Sequence, residues 1–151
     1  MLSVLRKLVP AGMRHALRRA WDDRQLRMAI GPLRRRGELT ADEILTFRKA
    51  WGNEGFSADE RYLAETIRII KANGGPVLEC GTGATTILAG VLAELHGFDV
   101  YSLEQDAEWA VSVRRSIRLN QLSRVKIIDA ALKNHGDYYW YDMTGINLPK
   151  K

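Results

Sequence analysis

Residues Val77-Leu78-Glu79-Cys80-Gly81-Thr82-Gly83 decide how this chain is read. The run is short and mostly apolar, and it ends in two glycines two positions apart. Upstream, Asn73-Gly74-Gly75-Pro76 stops a helix; downstream, Ile87, Leu88, Val91, Leu92 and Leu95 recur at helical spacing. The pattern predicts a buried strand, a tight loop and a helix. Glycines at Gly81 and Gly83 let the backbone turn sharply and approach a ligand closely. The helix that follows aims its free N–H groups and the positive end of its dipole at the same point. A nucleotide-like cofactor suits such a turn.

The identity of that cofactor turns on two neighbours. Thr86 stands where the dinucleotide pattern G-x-G-x-x-G would have its third glycine, which counts against a pyrophosphate ligand. Glu79 counts further against it, because a carboxylate beside the turn repels phosphate. It suits a ligand that carries an ammonium and a sulfonium, as S-adenosylmethionine does. Beyond the first helix the alternation continues. A strand at 99–103 ends at Glu104, Asp106 caps a helix with Trp109, Val113 and Ile117 on one face, and a strand at 124–128 leads to Asp129. Strands and helices in this order predict parallel strands joined by right-handed crossovers.

The combination Glu79-x-Gly81-x-Gly83 with Leu103-Glu104 resembles the class I S-adenosylmethionine-dependent methyltransferases. The likeness runs from Trp51-Gly52-Asn53 to Tyr139-Trp140-Tyr141-Asp142. It implies an α/β fold with a Rossmann-like parallel sheet and flanking helices, and S-adenosylmethionine as cofactor. It also implies cofactor-binding roles for Glu79, Gly81, Gly83, Glu104 and Asp129. Glu104 would accept the ribose hydroxyls and Asp129 would lie near the adenine amino group, with Gln105 and Asp106 bordering the adenosine. Each has a plainer alternative: Glu79 satisfying loop amides, Glu104 capping the next turn, Asp129 a solvated turn acid. Trp51 and Asn53 would either line the pocket, or Trp51 and Phe56 would pin helices onto the sheet. In the family the sheet has seven strands, and the fourth lies beside the first. Only three are convincing here, so the sheet is expected to be incomplete and truncated at its C-terminal side. Its unpaired first strand would then invite a second copy or a partner. The groups that position a methyl acceptor lie beyond the fourth strand in the family, so the catalytic residues and the acceptor stay unassigned.

Composition sets the remaining bounds. With 151 residues, 46% hydrophobic and 27% charged, the chain suits one domain with a real core. Its single cysteine, Cys80, excludes an intramolecular disulfide, and its place in the strand predicts a small packed side chain. The net charge of +5 is unevenly spread: residues 1–36 hold ten Lys or Arg against Asp22 and Asp23, a balance of +8, whereas residues 37–151 balance at −3. This divides the chain into a basic amphipathic helical leader, 1–36, and the cofactor-binding part, 37–151. Gly31-Pro32 and Arg34-Arg35-Arg36-Gly37 mark the boundary.

The leader places Leu2, Leu5 and Leu8, then Met13, Leu17, Trp21 and Met28, at roughly helical spacing among arginines, with a break at Pro10-Ala11-Gly12. Such a segment either packs its apolar stripe on the main domain, lies on an anionic membrane surface, or binds nucleic-acid phosphates, the last being least favoured. Without a membrane-spanning run or a signal-peptide core, the expected location is cytoplasmic, with membrane-peripheral attachment through the leader as the variant. Two helices should start at Thr40-Ala41-Asp42-Glu43 and Ser57-Ala58-Asp59-Glu60, both spaced as capping boxes. His15, His96 and His135 have no ligand-spaced companions, so no metal is expected. No G-x-S-x-G elbow supports hydrolysis. Two other readings stay open: a fragment of a nicotinamide-dependent oxidoreductase, and a non-catalytic, membrane-peripheral interaction module.

Overall fold

The structure is a computed structural model that describes residues 11–53 and 57–148, with side chains from Arg18 onward. Leu2, Leu5, Leu8, Phe56 and Pro149-Lys150-Lys151 lie outside these residues, as do the side chains of Met13, His15 and Leu17. The chain runs through α1 (Ala11–Ala29), α2 (Gly31–Arg36), α3 (Ala41–Trp51), α4 (Glu60–Asn73), β1 (Val77–Cys80), α5 (Ala84–His96), β2 (Val100–Glu104), α6 (Ala107–Leu119), β3 (Val125–Asp129), β4 (Leu132–Asn134) and β5 (Tyr139–Tyr141). The first three strands form a parallel sheet in the order β1-β2-β3, with Val77 opposite Val100 and Glu104 opposite Asp129. The fold is α/β, a three-stranded parallel sheet flanked by helices. A separate antiparallel hairpin, β4–β5, follows it, in a stretch where the sequence pattern predicts no strand.

The core lies on one face of the sheet. Val77, Val100, Val125 and Ile127 point there, and Phe47, Leu63, Ile87, Leu88 and Leu92 pack over them. Helix α5 is buried along most of its length, as an all-round apolar helix must be. Gly90 permits its closest approach. A Cβ at that position would sit 2.6 Å from Val125 Cγ2 and 3.0 Å from Leu122 Cδ1. At the other face a smaller cluster of Leu103, Ala130 and Tyr141 sits beneath the hairpin.

Two expectations need correction. The strand β1 is not fully buried, and Cys80 is exposed; its neighbour Leu78 is 50% exposed. Among the described residues β1 pairs with β2 alone, and its alternate residues Leu78 and Cys80 point to the face that no described helix covers.

Local signals explain the helix ends. Thr40 forms the expected capping box with Glu43. At α4 the cap is Asp59, whose carboxylate accepts the Tyr62 N–H at 2.7 Å, in place of Ser57. An aspartate two residues closer to the helix simply outcompetes the serine.

The basic segment shares the core. Leu26, Ala29, Ile30 and Leu33 are buried in the same cluster as Phe47 and Leu88. Arg27 donates to Leu119 O at 2.8 Å and Arg34 donates to Asn120 O, so both arginines meet the carbonyls at the end of α6. Arg115 on α6 in turn pairs with Asp23. Guanidinium groups at a helix C-terminus satisfy orphan carbonyls and complement its dipole. Among the described residues no helix is long and apolar enough to cross a membrane.

Candidate functional site

A cleft of about 590 Å3 opens at the C-terminal ends of β1 and β2, within the size range of small-molecule sites. The glycine turn forms one wall. Gly81 has φ +89°, a left-handed conformation that disfavours any side chain, and its N–H donates to Leu103 O at 2.8 Å, which ties the turn to β2. Gly83 has an extended φ of 175°, and a Cβ there would meet nothing within 4 Å. Its bare backbone faces open space.

Glu104 anchors the opposite wall and is only 3% exposed. Its Oε2 accepts the Thr82 N–H at 2.9 Å and the Thr82 hydroxyl at 2.7 Å, while Oε1 accepts the Asp106 N–H at 2.9 Å. The carboxylate therefore joins the glycine turn to the start of α6. Gln105 and Asp106 continue this wall, and Asp106 caps α6 through Trp109 N. Trp109 donates its indole N–H to Thr82 O at 2.8 Å and meets Trp51 edge to face, ring centroids 6.1 Å apart. Trp51 thus pins the helices and lines the cleft at once, with Asn53 beside it. Tyr141 of the hairpin donates to Gln105 Oε1 at 2.7 Å and brings its hydroxyl near Gly81. Burial, then the charges of Glu104, Cys80 and Glu79, push its phenol pKa up.

The sequence-derived residues divide. Gly81, Gly83, Glu104, Gln105, Asp106, Trp51 and Asn53 come together around the cleft. Glu79 does not line it. Its carboxylate turns to the first turn of α5 and accepts from Thr85, from Thr86 at 2.6 Å and from Ser102 at 2.6 Å. Burial raises its pKa most, the three hydroxyls lower it, and nearby Glu104 raises it. Thr86 also receives the Gly83 N–H at 2.8 Å. The residue in place of a third glycine thus links the turn to the half-buried acid Glu79. Asp129 lies beside Glu104 in strand register, yet its carboxylate is largely exposed and pairs with Arg114 at 2.8 Å.

Ser57 is the lining residue that sequence reasoning misassigned. Its hydroxyl is buried, borders the cleft, and has no hydrogen-bond partner among the described residues. The overlapping Ser57 and Asp59 cap signals hid it. Among the described lining residues the charged side chains are the acids Glu104 and Asp106, without Lys or Arg. No cluster of His, Cys, Asp or Glu among the described residues could hold a metal ion.

Compared with protein-family models, curated proteins and solved structures, the chain matches none of them.

Proposed function

We propose that this chain is the S-adenosylmethionine-binding part of a Rossmann-like methyltransferase. The observation that carries the reading is the charge of the cleft: a glycine turn meets Glu104 and Asp106, with no cationic side chain among the described lining residues. A dinucleotide would bring a pyrophosphate into that field, whereas a sulfonium and an ammonium are attracted by it. Gly83 has no side chain to cap the first turn of α5, so beyond its own N–H, which Thr86 accepts, the N–H groups of that turn are left for the ligand's carboxylate.

The residues present fit such a ligand. Gly83 leaves room for close approach, the orphaned Ser57 hydroxyl offers a hydrogen bond, and the Trp51–Trp109 pair supplies aromatic surface for a base. The Glu104 carboxylate, held by Thr82 and Asp106, keeps acceptor capacity for a ribose hydroxyl. When bound, the cofactor would supply an electrophilic methyl group. This chain's own contribution is to bind and orient it, and the acceptor is unassigned.

Calorimetric titration of the full chain tests the proposal. Saturable binding of S-adenosylmethionine and S-adenosylhomocysteine is expected, with NAD giving none at the same concentrations. Ser57→Ala should weaken both by roughly fivefold, the loss of about one neutral hydrogen bond. Preference for NAD would move the reading to a nicotinamide-dependent enzyme. Absence of binding by all three to a folded sample would overturn a cofactor role.

A further inference from the structure

We infer that the outward face of α1 docks on an anionic lipid surface, with Trp21 and Met28 entering the headgroup region and Arg18 and Arg24 meeting lipid phosphates and carboxylates. The inference stands independently of the cleft. Trp21 and Met28 are seven residues apart, so they lie on one stripe about 10 Å apart along the helix. Arg18 and Arg24 are three residues to either side of Trp21, roughly 60° off the stripe in opposite directions. Leu26 and Ile30 hold the other side of the helix in the core.

The exposure of these residues follows that geometry. Trp21 is 59% and Met28 62% exposed, and Arg18 and Arg24 are exposed with no carboxylate partner among the described residues. The arginines that serve the fold are different ones: Arg27 and Arg34 meet carbonyls of α6, and Arg36 pairs with Glu43. Asp22 is the exposed acid on this part of the helix, and it leaves the basic excess of residues 1–36 intact.

Charge alone would suit any polyanion. What favours lipid is the placement of a tryptophan and a methionine between the cations, since apolar side chains gain by leaving water and a phosphate backbone gives them nowhere to go. A bilayer interface offers both terms together: attraction of each cation by the anionic leaflet and burial of the amphipathic indole. The helix would lie in the interface plane, as its composition forbids spanning.

Co-sedimentation of the full chain with vesicles of 70% phosphatidylcholine and 30% phosphatidylserine tests this. Pure phosphatidylcholine vesicles and duplex RNA are the companion arms. Binding to the anionic vesicles alone is expected, weakening as salt rises. Arg18→Gln with Arg24→Gln should weaken it on the order of thirtyfold, and Trp21→Ser with Met28→Ser at least tenfold. Circular dichroism should stay unchanged, because all four side chains point outward. Absence of vesicle binding, or parental binding by the Trp21/Met28 variant, would overturn the inference. Binding to RNA in preference to vesicles would overturn it in favour of nucleic acid.

Discussion

Glu104 and Thr82 are joined twice: one carboxylate oxygen accepts both the backbone N–H and the hydroxyl of Thr82, at 2.9 and 2.7 Å. This double contact crosses from the end of β2 to the glycine turn after β1. It sets the width of the cleft before any ligand arrives.

Replacing Glu104 with alanine should therefore cost stability as well as ligand affinity. The Thr82 and Asp106 N–H groups would lose their buried acceptor, at about 1–3 kcal/mol for each unsatisfied group. Urea unfolding is expected to show a loss of about 3 kcal/mol. Glu104→Gln, which keeps one acceptor oxygen, should lose less. Equal stability of Glu104→Ala and the parent would show that the carboxylate does not hold the turn.

Glu79 predicts a pH effect of the opposite sign from an ordinary ion-paired acid. Its folded pKa is raised, chiefly by burial, so the folded state holds this proton more tightly than the unfolded state. Its contribution is fully present below the unfolded value of about 4.3 and is lost as pH rises through the folded value. Glu79→Gln should gain stability relative to the parent across that window and show a flatter profile. Thermal unfolding of both chains from pH 4 to pH 7 measures the difference. Parallel profiles would contradict it.

The two glycines of the turn should separate on mutation. Gly81→Ala forces a side chain onto a left-handed backbone and should cost about 1–2 kcal/mol. Gly83→Ala meets no atom within 4 Å and should leave stability within about 0.5 kcal/mol. If the cleft takes the proposed cofactor, the alanine methyl group would intrude on that ligand, and S-adenosylhomocysteine affinity should fall at least tenfold. Chemical denaturation and calorimetry on the same pair of variants distinguish the two roles.

Gly90→Ala sets two effects against each other. Helix propensity favours alanine by about 1 kcal/mol, but its Cβ would lie 2.6 Å from Val125 Cγ2, where neither helix nor strand has slack. Overpacking of this kind costs about 1–3 kcal/mol, so net destabilisation is expected in urea unfolding. A stabilised variant would mean that α5 moves off the sheet without penalty.

The parts of the architecture legible in sequence were those with a local signal. The glycine turn, the three strands and the Thr40 cap followed from spacing and capping chemistry. The place of Glu104 at the end of the second strand, near the glycine turn, was what the family resemblance implied. Glu79 was readable as an acid at a strand end, but not its direction. That direction depends on Thr85, Thr86 and Ser102, two adjacent in sequence and one 23 residues away. Cys80 looked buried because the strand was apolar, but it points to the sheet face that no described helix covers. The hairpin escaped notice because its strands are three residues each, too short for periodicity to register. Gly90 gave no signal, since nothing local reveals that Val125 lies against it.

The change of charge near residue 36 invites the view of a tail attached to a body, yet folding draws no line there. Gly37 is itself buried, its N–H held by Leu33 O at 2.8 Å, so a protease would find no loose hinge at the junction. Separating the two compositional regions would also strip Leu26, Ile30 and Leu33 from the interior and release Arg27 and Arg34 from the end of α6. The same helix carries Trp109 into the cleft. The arginine-rich segment is in that sense a brace for the cleft, and shortening the chain from its amino end would loosen a wall more than 70 residues away in sequence.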